Sequence, residues 1–356
     1  MLTFVPHLSS MIARGWSSFN NFLGNSFCFG LPLPIQAATI PSRIEASALY
    51  GLEFCISVPR AEYRLNKMQA AWARTLLGIG DAQEGAWSIL LAECGWCRRL
   101  GTRMLERAIM LEARVQLLPL WHCANPLLNI ALTSPGDNWA KSVACLHTGA
   151  LLPSPIPYVS DVLSAGEIEQ ARANKHVRKK LLTRFNKSCV SPVLQEYDNK
   201  AFRKAVAQSS WPYDSFQPML NSFPTEVLTK DWTAEVWHLY RPWALVRATG
   251  RLPLRCFGYK DMPISLLNCP LCGTPDADVQ HALSNCGCCA DLRSKWLHSA
   301  GLLNTPSWPI LLQLLFGERD GPDHRILYVG HVFERITREL LQSQAIDRLI
   351  DHASGL

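Results

Sequence analysis

The sequence predicts a mostly α-helical protein: helical bundle segments, then a small module stapled by cysteines and a histidine, then C-terminal helices. Three observations carry that prediction. Apolar residues recur at three- and four-residue spacing, sustained period-two alternation is almost absent, and Cys269, Cys272, His281 and Cys286 crowd one short segment. The 356 residues are 48% hydrophobic and only 18% charged, with 12 Trp and 13 Phe as bulky anchors. Such a composition excludes disorder over the whole chain and provides for two or three buried cores.

The first helix is expected from Pro41 to Cys55, with the proline near its start and Ile44, Ala48 and Leu52 at four-residue spacing. A second spans Ala61 to Leu77, where Leu65, Met68, Trp72 and Leu76 share a face and Gly78 stands where a left-handed stop belongs. A third runs over 98–117, with Leu100, Met104, Ile109 and Leu111 among five arginines, and Pro119 ends it. Pro153, Pro155 and Pro157 mark a linker or domain edge. A basic segment comes next at 172–187, then a Pro- and Ser-rich stretch at 208–226. Beyond it come a Trp-rich helix over 232–245 and two further helices over 307–316 and 325–350. Arg251 to Phe257 is the best strand candidate, and no repeat of fixed period is present.

Charge divides the chain into three blocks. Residues 1–150 carry 12 basic and 9 acidic residues, 151–230 carry 11 and 7, and 231–356 carry 12 and 13. We read these as a helical region, a basic helical segment and a helical region containing the Cys/His module. The net charge of +6 favours an anionic partner slightly. The most apolar run, 115–132, is broken by two prolines, Gln116, His122 and Asn125, so no membrane span is expected. The opening MLTFVPHLSS lacks the basic start and continuous apolar stretch of an export signal. Thirteen cysteines, an odd number in a large chain, therefore point to a reducing interior, nucleus or cytoplasm, with metal-bound or buried thiols and not a secreted disulfide framework.

The sharpest motif is Cys269-Pro-Leu-Cys272-Gly, eight residues, His281, four residues, Cys286. Two cysteines separated by two residues can grip one ion from a tight turn, and Gly273 lets that turn fold back. A His and a Cys five apart reach the same ion from a helical turn and its end. Three thiolates and one imidazole make the closed tetrahedral shell of a structural Zn²⁺ site. Cys288 and Cys289 come soon after and stand as alternatives to Cys286 for the fourth position. A second pair, Cys94-Gly-Trp-Cys97, lacks the alternating strand and helix context of a redox motif and reads as packing thiols.

Between Arg172 and Lys187 there are seven basic residues and no acid: Arg172, Lys175, Arg178, Lys179, Lys180, Arg184 and Lys187. As one helix, Arg172, Lys175, Arg178 and Lys179 would share a face opposite an apolar stripe of Val177, Leu181 and Phe185. Cations at this density suit a phosphate backbone, and binding through them would weaken steeply with salt. The bland counterpart is a solvated helix face. Arg241, Arg247, Arg251 and Arg255 form a weaker second patch, and Trp237 and Trp243 beside them read as buried anchors.

The order of these features resembles the region downstream of the polymerase palm in non-LTR (LINE-type) retrotransposon reverse transcriptases. Ala48-Leu-Tyr-Gly-Leu-Glu53 resembles the helix soon after the palm, and Leu65-Asn-Lys-Met-Gln69 through Arg74-Thr-Leu-Leu-Gly78 resembles the next. Leu245-Val-Arg-Ala-Thr-Gly-Arg-Leu-Pro-Leu254 resembles the segment leading into the C-terminal CCHC zinc motif, which Cys269, Cys272, His281 and Cys286 match residue for residue. The resemblance implies a thumb-like helical region that grips primer and template, and a zinc module that helps hold RNA or DNA. No polymerase residue carries over. The palm presents paired aspartates to two metal ions, and this sequence has no Asp-Asp dipeptide. The implied protein is a truncated, non-catalytic piece that works with an upstream palm domain. Since no nucleophile elbow, Walker loop or carboxylate cluster appears, an enzyme is not expected. The competing expectation is a zinc-stapled helical module that binds proteins and not nucleic acid.

Overall fold

A computed structural model of the chain describes residues 4–28, 33–77, 90, 91, 93–96, 98–207, 233–249, 268–275, 277–316 and 323–354. Every extended element among them is helical, and the only β-type pairing is an isolated antiparallel bridge between Asn268 and Pro275. The protein is mostly α. The Gly78 helix stop, the 208–226 stretch and the Arg251 to Phe257 strand candidate lie outside the described residues.

Two compact units form. One comprises Met1–Gly30, Ala38–Gln69 and Trp96–Phe202; the other comprises Leu31–Ala37, Ala70–Gly95 and Arg203–Leu356. These boundaries differ from the charge blocks 1–150, 151–230 and 231–356. Charge counts reflect surface composition, whereas compactness reflects which helices share buried faces. The stretch Pro153 to Pro157, expected as a linker, is internal to the first unit. Ile156 is fully buried there, and its amide donates to the Leu146 carbonyl at 3.4 Å.

The helices before residue 208 that matter below are Val5–Cys28 (α1), Ala61–Leu77 (α2), Leu100–Gln116 (α3), Ala124–Thr133 (α4), Trp139–His147 (α5), Ala165–Ala173 (α6), Lys175–Phe185 (α7) and Ser191–Ala207 (α8); all lie in the first unit except the ends of α2 beyond Gln69 and of α8 beyond Phe202. The continuous helix expected over 41–55 is instead three short pieces: a wide π turn at Ile40–Ile44, a single α turn at Glu45–Ala48 and a 3₁₀ turn at Leu52–Ser57. Gly51, at φ +72°, breaks it where only glycine turns left without strain. The α2 stripe is buried as its spacing predicts: Leu65, Met68, Trp72 and Leu76 are all 3% exposed or less.

Helix α3 sits at the heart of this unit, with Met104, Leu105, Ala108 and Ile109 buried along it. No side chain of its own caps its start, because Arg99 makes no capping hydrogen bond. Two residues of α2 do so instead. Gln69 accepts from the Leu100 amide at 2.7 Å, and Asn66 accepts from the Gly101 amide at 2.8 Å, one turn apart on one face. Gln69 also donates to the Arg98 carbonyl at 3.1 Å and to Glu45 at 2.9 Å. The helices meet so closely that a Cβ on Gly101 would fall 2.2 Å from Glu62 Cγ. Helix α8 is tied to the same end of α3. Asp198 accepts from Arg99 at 2.6 Å and from Thr102 at 2.7 Å, while Arg99 lies 4.8 Å over the Tyr197 ring.

The second unit is organised by Ala234–Thr249 (α9), Ala290–Ser299 (α10), Trp308–Phe316 (α11) and Asp323–Ser354 (α12). Leu239 of α9 packs on Gly330 of α12, where a Cβ would come within 2.5 Å of it. The last carbonyls of α11, which have no partner within the helix, receive three donors: Trp243 to Leu315 at 3.0 Å, Arg247 to Phe316 at 3.0 Å and Arg325 to Leu314 at 2.9 Å. Arg247 also pairs with Glu93 at 2.6 Å, with side chains only 4% and 1% exposed. Trp237 and Trp243 are buried, as expected of anchors.

Candidate metal centre and basic surface

The Cys/His module begins with a turn. Gly273, at φ +72°, returns its amide to the Cys269 carbonyl at 2.8 Å, and the Cys269 amide donates to the Thr274 carbonyl at 2.7 Å. This double closure brings Cys269 and Cys272 to one side. The second pair comes from a short helical stretch started by Asp278, whose carboxylate accepts from the His281 amide at 2.7 Å as an N-cap does. From His281 to Asn285 the coil widens to a π turn, closed by the Cys286 amide on the His281 carbonyl at 2.7 Å.

The four ligand atoms of Cys269, Cys272, His281 and Cys286 all lie within 4.8 Å of one another. Cys272 Sγ is 3.3 Å from His281 Nε2, Cys286 Sγ is 3.9 Å from Cys272 Sγ, and Cys269 Sγ is 4.0 Å from Cys286 Sγ. This group could hold a metal ion. Cys288 turns its thiol onto the Leu271 carbonyl at 3.2 Å, and buried Cys289 is not among the converging atoms. The thiols differ in acidity. Hydrogen bonding from Thr274 lowers Cys272 to about 6, whereas burial pushes Cys286 well up.

The module is fastened to α10 and α12. Tyr328 donates to the Leu283 carbonyl and stacks on Trp296 at 5.2 Å. Arg293 donates to the Cys286 carbonyl at 3.2 Å. Arg335 donates to the Cys288 carbonyl at 2.6 Å and grips Asp291 at 2.7 and 2.9 Å, holding that carboxyl at about 2. Sequence reasoning missed all of these supports. Asp278 had a local signal, an Asp three residues before the helical His; Arg335 had none, since its partners lie more than forty residues away.

Chain-wide comparison finds no family model, curated protein or solved structure that matches.

The basic segment is not one helix. Asn174 interrupts it, accepting from the His176 amide at 2.8 Å to cap α7, so Arg172 belongs to α6 and does not share the α7 face. Three arginines serve the hairpin itself. Arg172 pairs with Glu169 at 2.7 Å, Arg184 pairs with Glu167 at 2.7 Å, and Arg178 donates to the Ala171 and Arg172 carbonyls at 3.0 and 3.2 Å. Lys175, Lys179, Lys180 and Lys187 are exposed and have no ion pair or hydrogen bond through their ammonium groups among the described residues. Leu181 and Phe185 are buried beneath them, and Val177 is half-buried. Of the second patch, Arg247 is 3% exposed and bound to Glu93, so it does not belong to an open face, and Arg251 and Arg255 lie outside the described residues. Among the described residues, no helix is long and apolar enough to cross a membrane.

Proposed function

We propose that this chain is a non-catalytic nucleic-acid-binding protein, built of helices and stapled by one structural Zn²⁺, that holds RNA or DNA through α7. The observation that carries the reading is the four free lysines on and just after a helix whose arginines are spent on rigidity. Ammonium groups without protein partners are the ones left to neutralise phosphates. Zinc fits the Cys/His group by chemistry and size. Three sulfurs and an imidazole are a soft donor set, and Zn–S bonds of about 2.3 Å in a tetrahedron place sulfurs about 3.8 Å apart. The 3.9 and 4.0 Å separations match that spacing. The kinship we favour is with the post-palm region of LINE-type reverse transcriptases, where an upstream palm would be the working partner inside the cell.

The test is a salt titration of binding to a structured RNA and to a DNA duplex. A strongly negative slope of log affinity against log salt is expected, and the double charge reversal Lys179→Glu with Lys180→Glu flattens it. No binding even at low salt overturns the reading. A second reading, a zinc-stapled module that docks a protein, is favoured by the exposed apolar residues Leu120, Trp121, Leu127 and Ile130 on and before α4, with Trp121 85% exposed. Loss of nucleic-acid binding would select it. Metal analysis of the purified chain is expected to give one zinc, absent in Cys272→Ser.

A further inference from the structure

Helix α7 does not present its cations on an open face alone. Across from it, the C-terminal half of α3 forms the second wall of a groove of about 580 Å³. Five cations line this groove: Arg114 from α3, Lys175, Arg178 and Lys179 from α7, and Lys187 from the turn after α7. No acidic residue lines it. Arg114 is exposed and, like the three lysines, has no partner among the described residues. Arg178 is pinned by its two carbonyl hydrogen bonds, so one positive charge is held in place while four are free to meet a ligand. Between the cations lie two apolar side chains, half-buried Met110 and buried Leu182. Lys180, by contrast, sits on α7 outside the groove.

We propose that a single strand of RNA or DNA occupies this groove, its phosphodiesters held by Arg114, Lys175, Lys179 and Lys187 and a base resting on Met110 and Leu182. The inference rests on the nucleic-acid reading above and specifies its ligand. A concavity of this volume is of the size that encloses a small ligand, about 300–1,000 Å³. A wall of four cations facing a fifth, with an apolar floor between them, fits a polymer that shows phosphates and an unstacked base together. A duplex is convex and hides its bases in the stack, so it would engage only the rim. The soft, unbranched thioether of Met110 makes the floor adaptable, which suits a strand read without strong sequence preference.

The experiment uses the full chain and fluorescence anisotropy at low and moderate salt, with a labelled oligouridylate, the matching oligothymidylate and a hairpin duplex as probes. Variants Arg114→Glu and Lys180→Glu make the same charge change at two exposed positions, one inside the groove and one outside it. At least one single strand is expected to bind more tightly than the duplex, and the tighter of the two identifies the polymer. Arg114→Glu should weaken it about tenfold or more and reduce the salt slope by about one to two, while Lys180→Glu should change affinity less than about threefold. Equal losses in the two variants, or a duplex that binds as tightly as either strand, overturn the groove while leaving nucleic-acid binding intact. Absence of binding by all three probes instead removes the reading on which the inference stands.

Discussion

Gln69 uses one amide to serve three partners. Its oxygen satisfies the Leu100 amide while its nitrogen serves Glu45 and the Arg98 carbonyl, and the residue is fully buried. Replacing it by Ala leaves a buried amide and a buried carboxylate short of partners. A loss of about 2–4 kcal/mol in urea-unfolding stability is expected, against less than about 1 kcal/mol for an exposed residue such as Lys180. His147 gives the corresponding pH prediction. Its ring nitrogens face the Ile156 carbonyl and the Glu112 carboxylate, each at 2.6 Å, and Tyr158 stacks on it at 3.9 Å. Burial opposes the imidazolium, but hydrogen bonding and charge attraction from Glu112 and the Ile156 carbonyl outweigh it and raise the pKa. Two acceptors require two protons on the ring. The stability gained is therefore fully present below the ordinary imidazole range and is lost as pH rises through the raised native value. The difference in unfolding midpoint between the wild type and His147→Gln should shrink as pH rises across that range, down to the constant cost of the substitution.

At the scale of helices, close approach and borrowed capping decide what packs. Gly101→Ala sets a methyl group against Glu62, with Glu62 Cα itself only 3.0 Å from the added carbon. Overpacking of about 1–3 kcal/mol outweighs the gain of about 1 kcal/mol from better helix propensity, so a net loss is expected in thermal or chemical denaturation. Arg247→Met removes one member of a pair with 4% and 1% exposure and takes the guanidinium from buried Glu93, which also accepts from Tyr240 at 3.2 Å. About 3–5 kcal/mol should be lost, and Glu93→Gln in the same chain should restore part of it. Helices α2 and α3 were legible in the sequence because their apolar stripes are regular. The stretch 41–55 misled because its four-residue spacing spans Gly51, and period alone does not register a left-handed residue. The basic segment misled for a related reason: Asn174 is a better cap than helix interior residue, and two short helices carry the same charges on different faces.

For the chain as a whole, the mostly helical class and the converging Cys/His group are set by composition and local spacing. The assembly of each unit from separate segments is not, because it depends on contacts between residues far apart in sequence, such as Arg247 with Glu93. The same holds for Arg114, which has no distinguishing pattern among the arginines of α3 and gains meaning only opposite α7. The Cys/His segment has a small apolar core of its own, chiefly Val279, Ala282 and Leu283. If Zn²⁺ supplies the remaining cohesion, a chelator should raise amide hydrogen exchange over 269–289 while leaving α3 protected, and added zinc should reverse it. Unchanged exchange in that segment would show that the metal is dispensable to its fold.

The wide coil between His281 and Cys286 imposes a length rule on this module. Each residue added or removed there rotates the downstream chain by about 100°, enough to swing a sulfur away from the imidazole. Single-codon insertions and deletions between these two positions are consequently the lesions the module tolerates least, whereas exchanges at exposed Asn285 leave the grip intact.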